Sequence, residues 1–157
     1  MNSLFKMLTL GLTALALSIA TYSSANPAED AIEARQGYYQ VVKHNMGSLA
    51  AMAKGEAPYD AKKAATYAKN LEMLTQLNNE SMWIAGTSNK DMPGKTRALP
   101  EIWSTYPAIA EKSDAWKKAT AKLAVSAGKG LDALRADIRG VGQSCKGCHD
   151  EFRAKDF

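Results

Sequence analysis

Four stretches of this chain repeat apolar residues every three or four positions, and no stretch with strand composition alternates them every second position. That pattern restricts the fold to packed amphipathic helices. The first stretch runs from Pro27 to Lys54 and carries Ala31, Ile32, Tyr38, Tyr39, Val42, Met46, Leu49 and Met52 on one side. Glu29 and Asp30 stand in its first turn, where acids favour the helix dipole, and Gly55 with Pro58 signals its end. The second runs from Asp60, a suitable N-cap, to Met82, with Ala64, Tyr67, Ala68, Leu71, Leu74 and Leu77 as its stripe. A Gly-, Ser-, Asn- and Pro-rich loop follows from Gly86 to Pro100. Pro100-Glu101-Ile102-Trp103 leads into the third, where Pro107 suits the first turn and Ile109, Trp116, Ala119, Leu123 and Ser126 share a face. Gly128 and Gly130 break the pattern. The fourth runs from Leu131 to about Ala154 and aligns Leu131, Leu134, Ile138, Val141, Cys145 and Cys148. Gly140 and Gly142 weaken it by about 1 kcal/mol each relative to alanine, and small residues there suit the close approach of a flat cofactor. Four such helices with short connections predict an all-α, antiparallel four-helix bundle.

The chain has 157 residues, enough for one domain, and 46% of them are hydrophobic. Its beginning reads differently. Lys6, an apolar run from Met7 to Ala20 and the small-residue site Ser23-Ser24-Ala25 have the layout of a cleavable signal peptide over residues 1–25. The run is short for a membrane span, and an uncleaved anchor is the alternative reading. The mature domain is then expected to be 26–157, in a compartment outside the cytoplasm and free of the membrane once the signal is removed. The whole-chain charge of +4 falls by one with that segment. The remaining lysines are scattered through helical stretches without a dense basic run, which gives no footprint for nucleic acid.

The chemistry is concentrated near the end of the chain. The only two cysteines, Cys145 and Cys148, are followed at once by His149. Cys145-Lys146-Gly147-Cys148-His149 is the C-x-x-C-H pattern of covalent c-type haem attachment. Two thiols three residues apart share a helix face and reach the two vinyl groups of one haem edge. The imidazole of the next residue swings beneath the iron as its proximal ligand. A disulfide suits this spacing poorly. A redox dithiol is expected after a strand in a βαβ setting, which the chain lacks. A zinc site needs further soft ligands, and the only other histidine is His44. One haem c per chain, with its iron, is the expected cofactor.

The haem motif, the four helices, Lys54-Gly55-Glu56-Ala57-Pro58-Tyr59-Asp60 and Pro100-Glu101-Ile102-Trp103 resemble cytochrome c′, of the class II c-type cytochromes. The resemblance covers essentially the whole mature chain. It implies a periplasmic homodimer with five-coordinate, high-spin iron that binds nitric oxide and carbon monoxide. It places Arg35 and Gln36 at the haem edge, Tyr39 at the distal position and Arg153 in the proximal pocket, with Thr96 and Arg97 as weaker haem-edge candidates. For Arg35, Gln36 and Arg153 a plain solvent-facing role stands beside these, and for Tyr39 simple core packing. Low-spin relatives carry methionine where this chain has Tyr39. A neutral phenol, with an ordinary pKa of about 10, is a poor iron ligand, so Tyr39 is expected to be a bulky lid. Met46 lies two turns further along, about 10 Å away, and His44 falls on another face.

The resulting expectation is a gas-binding haem protein, used for nitric oxide scavenging, that transfers electrons to redox partner proteins as a second role. The alternative is a low-spin electron carrier with a sixth protein ligand. No distal His and Arg pair suggests peroxidase chemistry, so the chain is not expected to be an enzyme. The four stripes are expected to meet around the haem rather than around each other, making folding depend on it.

Overall fold

A computed structural model describes residues 26–157; the expected signal peptide, residues 1–25, lies outside the described residues. Helix α1 spans Pro27–Lys54, α2 Ala61–Thr75, α3 Glu101–Ser104, α4 Tyr106–Ser126 and α5 Leu131–Phe152, with a 3₁₀ turn at Glu80–Met82. The four long helices form an antiparallel bundle in which α1 packs on α2, α2 on α4, α4 on α5 and α5 on α1. Among the described residues no helix is long and apolar enough to cross a membrane.

Local chemistry sets the helix ends. Asn26 Oδ1 accepts the Ala28 N–H at 3.1 Å, and Pro27 opens α1 without wasting a donor. Gly55 closes it in the left-handed region at φ 80°, its N–H bonded to Met52 O. Asp60 caps α2 by accepting the Lys63 N–H at 2.9 Å. That helix stops at Thr75, short of the expected Met82. Thr75 turns its hydroxyl back to Glu72 O at 2.7 Å, and Asn78 accepts the Glu80 N–H, so side chains take backbone partners a longer helix would need. Leu77 leaves the stripe and is exposed.

The stretch before α4 also departs from expectation. Glu101–Ser104 forms its own turn instead of continuing into the third long helix. A continuous helix would set the Pro107 ring against the Trp103 carbonyl and leave that carbonyl without a donor. The chain breaks at Thr105, whose hydroxyl donates to Glu101 O at 2.6 Å, and restarts at Tyr106.

The core corrects the expectation of stripes that meet only around haem. Leu49, Ala64, Ala68, Leu71, Leu123, Ala127 and Leu134 are each 0% exposed and pack directly on one another. They fill the half of the bundle away from the cysteines. Two polar devices fix this half. Asn45 Oδ1 accepts from Asn70 Nδ2 at 2.9 Å across α1 and α2, while Asn45 Nδ2 donates to Val41 O. The Tyr59 hydroxyl donates to Ala127 O at 2.8 Å and accepts the Gly130 N–H at 3.0 Å, tying the α1–α2 connection to the α4–α5 turn. At Gly128 an added Cβ would stand 3.0 Å from Ala65 Cβ and 3.2 Å from Ala61 O, so only glycine allows α2 to come this close.

Candidate functional site

Helix α5 runs unbroken through Gly140 and Gly142 to the last cysteine, with open space beside both glycines. Cys145 and Cys148 are free thiols, half-buried on the inward side of α5. Burial raises both thiol pKa values; Ser144 opposes the rise at Cys145, and at Cys148 the neighbouring Cys145 adds to it while Lys112 opposes it. Lys112 Nζ, on α4, bonds Glu151 Oε1 at 2.5 Å beside this thiol. Among the described residues no group of three or more His, Cys, Asp or Glu side chains is arranged to hold a metal ion.

Tyr39 faces the two cysteines from α1. The residue is 41% exposed, but its hydroxyl is the covered end: burial, then Cys148, Tyr38 and Cys145, push its pKa upward. The phenol is neutral at physiological pH. Its ring meets Tyr38 edge-on at 5.2 Å, and Tyr38 meets Trp116 edge-on at 6.2 Å. Tyr38 donates to Leu74 O at 2.9 Å, and burial pushes its own pKa up to about 12. The other candidate axial ligands point elsewhere. His44 is exposed and lies edge-on to Tyr67 of α2 at 6.0 Å, and Met46 lines a separate groove with Ala50, Ala53 and Ile138.

Arg35, one turn before Tyr39, is 4% exposed. Its guanidinium donates to Met82 O, Thr87 Oγ1 and Thr87 O at 3.1 Å each, and to Thr96 Oγ1 at 3.2 Å. It stacks on Trp83 at 4.6 Å from the ring centroid, and Trp103 closes the cage by donating from Nε1 to Trp83 O. Burial lowers the Arg35 pKa, opposed by the Tyr39 phenol. Every acceptor is neutral, and none of the ion pairs among the described residues includes Arg35. A buried cation without a counter-anion is costly, which makes this end of the cleft suited to an anionic group. Gln36 Nε2 donates to Lys95 O at 2.7 Å.

His149 is exposed at the last turn of α5. Its pKa is lowered first by desolvation and then by the charges of Arg153 and Arg97, which favours the neutral imidazole a metal needs. Arg153 Nη1 lies 3.4 Å from His149 Nδ1. Arg97 turns away from Thr96, donating to Ala154 O and Lys155 O. The structure therefore brings Tyr39, Cys145 and Cys148 together on one side, and His149, Arg153 and Arg97 on another. Trp83, Thr87 and Lys112 were not singled out in the sequence, and Trp103 and Trp116 were read there only as a motif residue and a stripe residue. Their places in the site depend on partners far away in the chain. The buried Trp116 Nε1 has no hydrogen-bond partner.

The site parts fit the chemistry of one flat, anionic, thioether-linked group: paired free thiols, an adjacent neutral imidazole, an aromatic wall and an uncompensated buried cation. Comparison with known proteins agrees. The family model for cytochrome c′ matches residues 30–153. A cytochrome c′ from Cereibacter sphaeroides is 40% identical over 144 residues, covering 92% of this chain and 96% of the relative. A solved cytochrome c′ from Rhodobacter sphaeroides superposes with a TM-score of 0.79 at 43% identity, over 82% of this chain and 98% of that one. A variant of cytochrome c′ from Alcaligenes xylosoxidans, solved with nitric oxide bound, gives a TM-score of 0.72 at 34% identity, over 84% and 98% of the two chains.

Proposed function

Because this chain belongs to the cytochrome c′ family, whose cofactor is haem c with its iron, we propose that it is an exported periplasmic protein that binds nitric oxide and carbon monoxide at a five-coordinate haem. When bound, the haem supplies an iron that takes small diatomic ligands. Cys145 and Cys148 would hold it covalently and His149 would ligate the iron, with Arg153 beside the imidazole. Arg35 would offer its unmatched charge to a propionate, with Gln36 and Thr96 beside it, while Arg97 would lie toward His149.

Tyr39 carries the reading. It stands beside the two thiols, where low-spin relatives of the resemblance carry methionine, and its raised pKa keeps it a neutral, non-coordinating phenol. It therefore acts as a steric lid that admits small diatomics and excludes larger anions. Scavenging of nitric oxide follows as its use, with electron transfer to a partner protein as a second role. The reading is of a binding protein, not an enzyme. A homodimer is part of this reading, as the family resemblance implies, and exposed Val41 on α1 and Met73 on α2 are apolar side chains a second copy would cover.

The deciding experiment is the absorption spectrum of the purified holoprotein, ferric and ferrous, with and without carbon monoxide. A broad high-spin ferrous band that shifts with the gas is expected. Sharp low-spin bands that ignore it would instead establish the electron-carrier reading. Tyr39→Ala is expected to raise the carbon monoxide association rate about tenfold or more, a change of at least about 1.4 kcal/mol in barrier. An unchanged rate would remove Tyr39 as the lid.

A further inference from the structure

The segment Lys95–Leu99 changes partners between two consecutive residues. Lys95 and Thr96 are held by α1: Lys95 O accepts from Gln36 Nε2 at 2.7 Å, its ammonium pairs with Glu29 at 3.4 Å, and Thr96 Oγ1 accepts from Arg35 at 3.2 Å. From Arg97 onward the segment turns to the end of α5 and the residues just after it, while the Ala98 carbonyl accepts the Asn89 N–H. Arg97 Nε donates to Ala154 O at 2.8 Å and Nη2 to Lys155 O at 2.6 Å. The Ala154 N–H donates to Arg97 O at 2.8 Å and the Leu99 N–H to Phe152 O at 3.0 Å, and Ala98 pairs with Arg153 as a single antiparallel bridge. Both attachments are close to the chemistry. Arg35 is one helical turn from Tyr39, and Arg153 donates its backbone N–H to His149 O at 3.2 Å while its guanidinium lies 3.4 Å from Nδ1 of that residue.

The two helices pack on each other through Val42 and Leu49 of α1 and Ile138 and Val141 of α5, and a cleft that takes a cofactor needs a further link at its open end. Here the α1 anchor and the α5 anchor sit on neighbouring residues, Thr96 and Arg97, joined by one trans peptide whose Cα atoms are about 3.8 Å apart. A link that short has no slack. A displacement of the last turn of α5 reaches Arg35, and a displacement of the first turns of α1 reaches Arg153.

We propose that Lys95–Leu99 is a tie that fixes the spacing between the Tyr39 turn of α1 and the His149 turn of α5, with Thr96 and Arg97 as its positioning residues. The proposal rests on the haem-pocket reading above. It couples the two faces of the pocket: what happens at the proximal histidine alters the room left under Tyr39, and the reverse.

The test uses the ferrous holoprotein with Thr96→Val, Thr96→Ser, Arg97→Ala and the double variant Thr96→Val/Arg97→Ala. The carbon monoxide association rate reports the Tyr39 side, and the iron–histidine stretching band in resonance Raman spectra reports the His149 side. Thr96→Val removes an acceptor shared by Arg35 of α1 and the Ala98 N–H, and it is expected to shift the iron–histidine band as well as the rate. Thr96→Ser keeps the oxygen and is expected to restore both. The double variant is expected to depart from additivity in the rate by about threefold or more. The tie is overturned if Thr96→Val changes the rate alone, Arg97→Ala the band alone, and the double variant is their product. Should the wild-type haem prove low-spin and indifferent to carbon monoxide, the gas-binding reading fails separately. The tie is then judged by amide exchange at Arg153 and Ala154: faster exchange in Thr96→Val supports it, and unchanged exchange overturns it.

Discussion

Replacing Arg35 with methionine isolates what the buried guanidinium does for the fold. Methionine keeps most of the aliphatic stem and removes the charge and all donors. Four bonds are lost, to Met82 O, Thr87 O, Thr87 Oγ1 and Thr96 Oγ1. Thr87 still donates its hydroxyl to Ile84 O at 2.6 Å and Thr96 Oγ1 still accepts the Ala98 N–H at 3.1 Å, so Met82 O and Thr87 O lose most. An acceptor stranded in a buried position costs about 1–3 kcal/mol, and the lost stacking on Trp83 adds about 0.5–2 kcal/mol. Against this, removing a buried cation relieves a desolvation penalty, which a propionate partner in the holoprotein makes smaller. The balance is a net loss of about 2–4 kcal/mol, within the reserve of about 5–15 kcal/mol of an ordinary domain, so the variant still folds. Urea unfolding of the holoprotein measures the total, and hydrogen exchange by mass spectrometry locates it. Protection is expected to fall first over residues 82–99 while α4 and the first half of α5 keep theirs. An unchanged urea midpoint, or loss spread evenly over the bundle, would refute the account of Arg35 as the fastener of this loop.

Other perturbations follow from the packing and the charges. Leu123→Ala opens a hole at a side chain that is 0% exposed and should cost about 2–5 kcal/mol in thermal or urea unfolding, with haem present or removed; a loss confined to the holoprotein would contradict the self-packed half. Gly128→Ala forces a methyl to 3.0 Å from Ala65 Cβ and should cost about 1–3 kcal/mol, where a stabilised variant would show that α2 yields freely. The Asp137 pKa is lowered by Lys122, 2.8 Å away on α4, and then by Ser126. Its contribution is thus present above the unfolded carboxylate pKa of about 4 and lost as pH falls through the lower folded value. Asp137→Asn should therefore make stability less steep on the acid side and leave the slope above pH 7 alone; an identical acid limb would discount the pair.

Much of this was legible from spacing. The first helix has its read bounds, Pro27–Lys54, because cap, proline and terminal glycine all act within a few residues. The haem motif was equally local. The end of α2 was not, since Thr75 and Asn78 compete for backbone partners in a way apolar periodicity does not register. Nor was the break before α4, which depends on Pro107 acting four residues back. The Arg35 cage is the clearest gap: its acceptors lie 47 to 61 residues away, and no pattern in a single chain says which loop will close over an arginine. The core was misjudged for a related reason. A stripe shows which side of a helix is buried, not whether its neighbours or a cofactor will cover it.

The half of the bundle built on Leu49, Leu71, Leu123 and Leu134 also bears on how such a protein can change over generations. Because that half closes on its own side chains, the fold's foundation and the cofactor's surroundings are largely separate sets of residues. Drift at Tyr39 or Trp116 can retune what the iron meets while the foundation goes on holding the helices in register. An architecture divided this way lets ligand preference diversify among descendants without each new pocket having to rediscover a stable bundle.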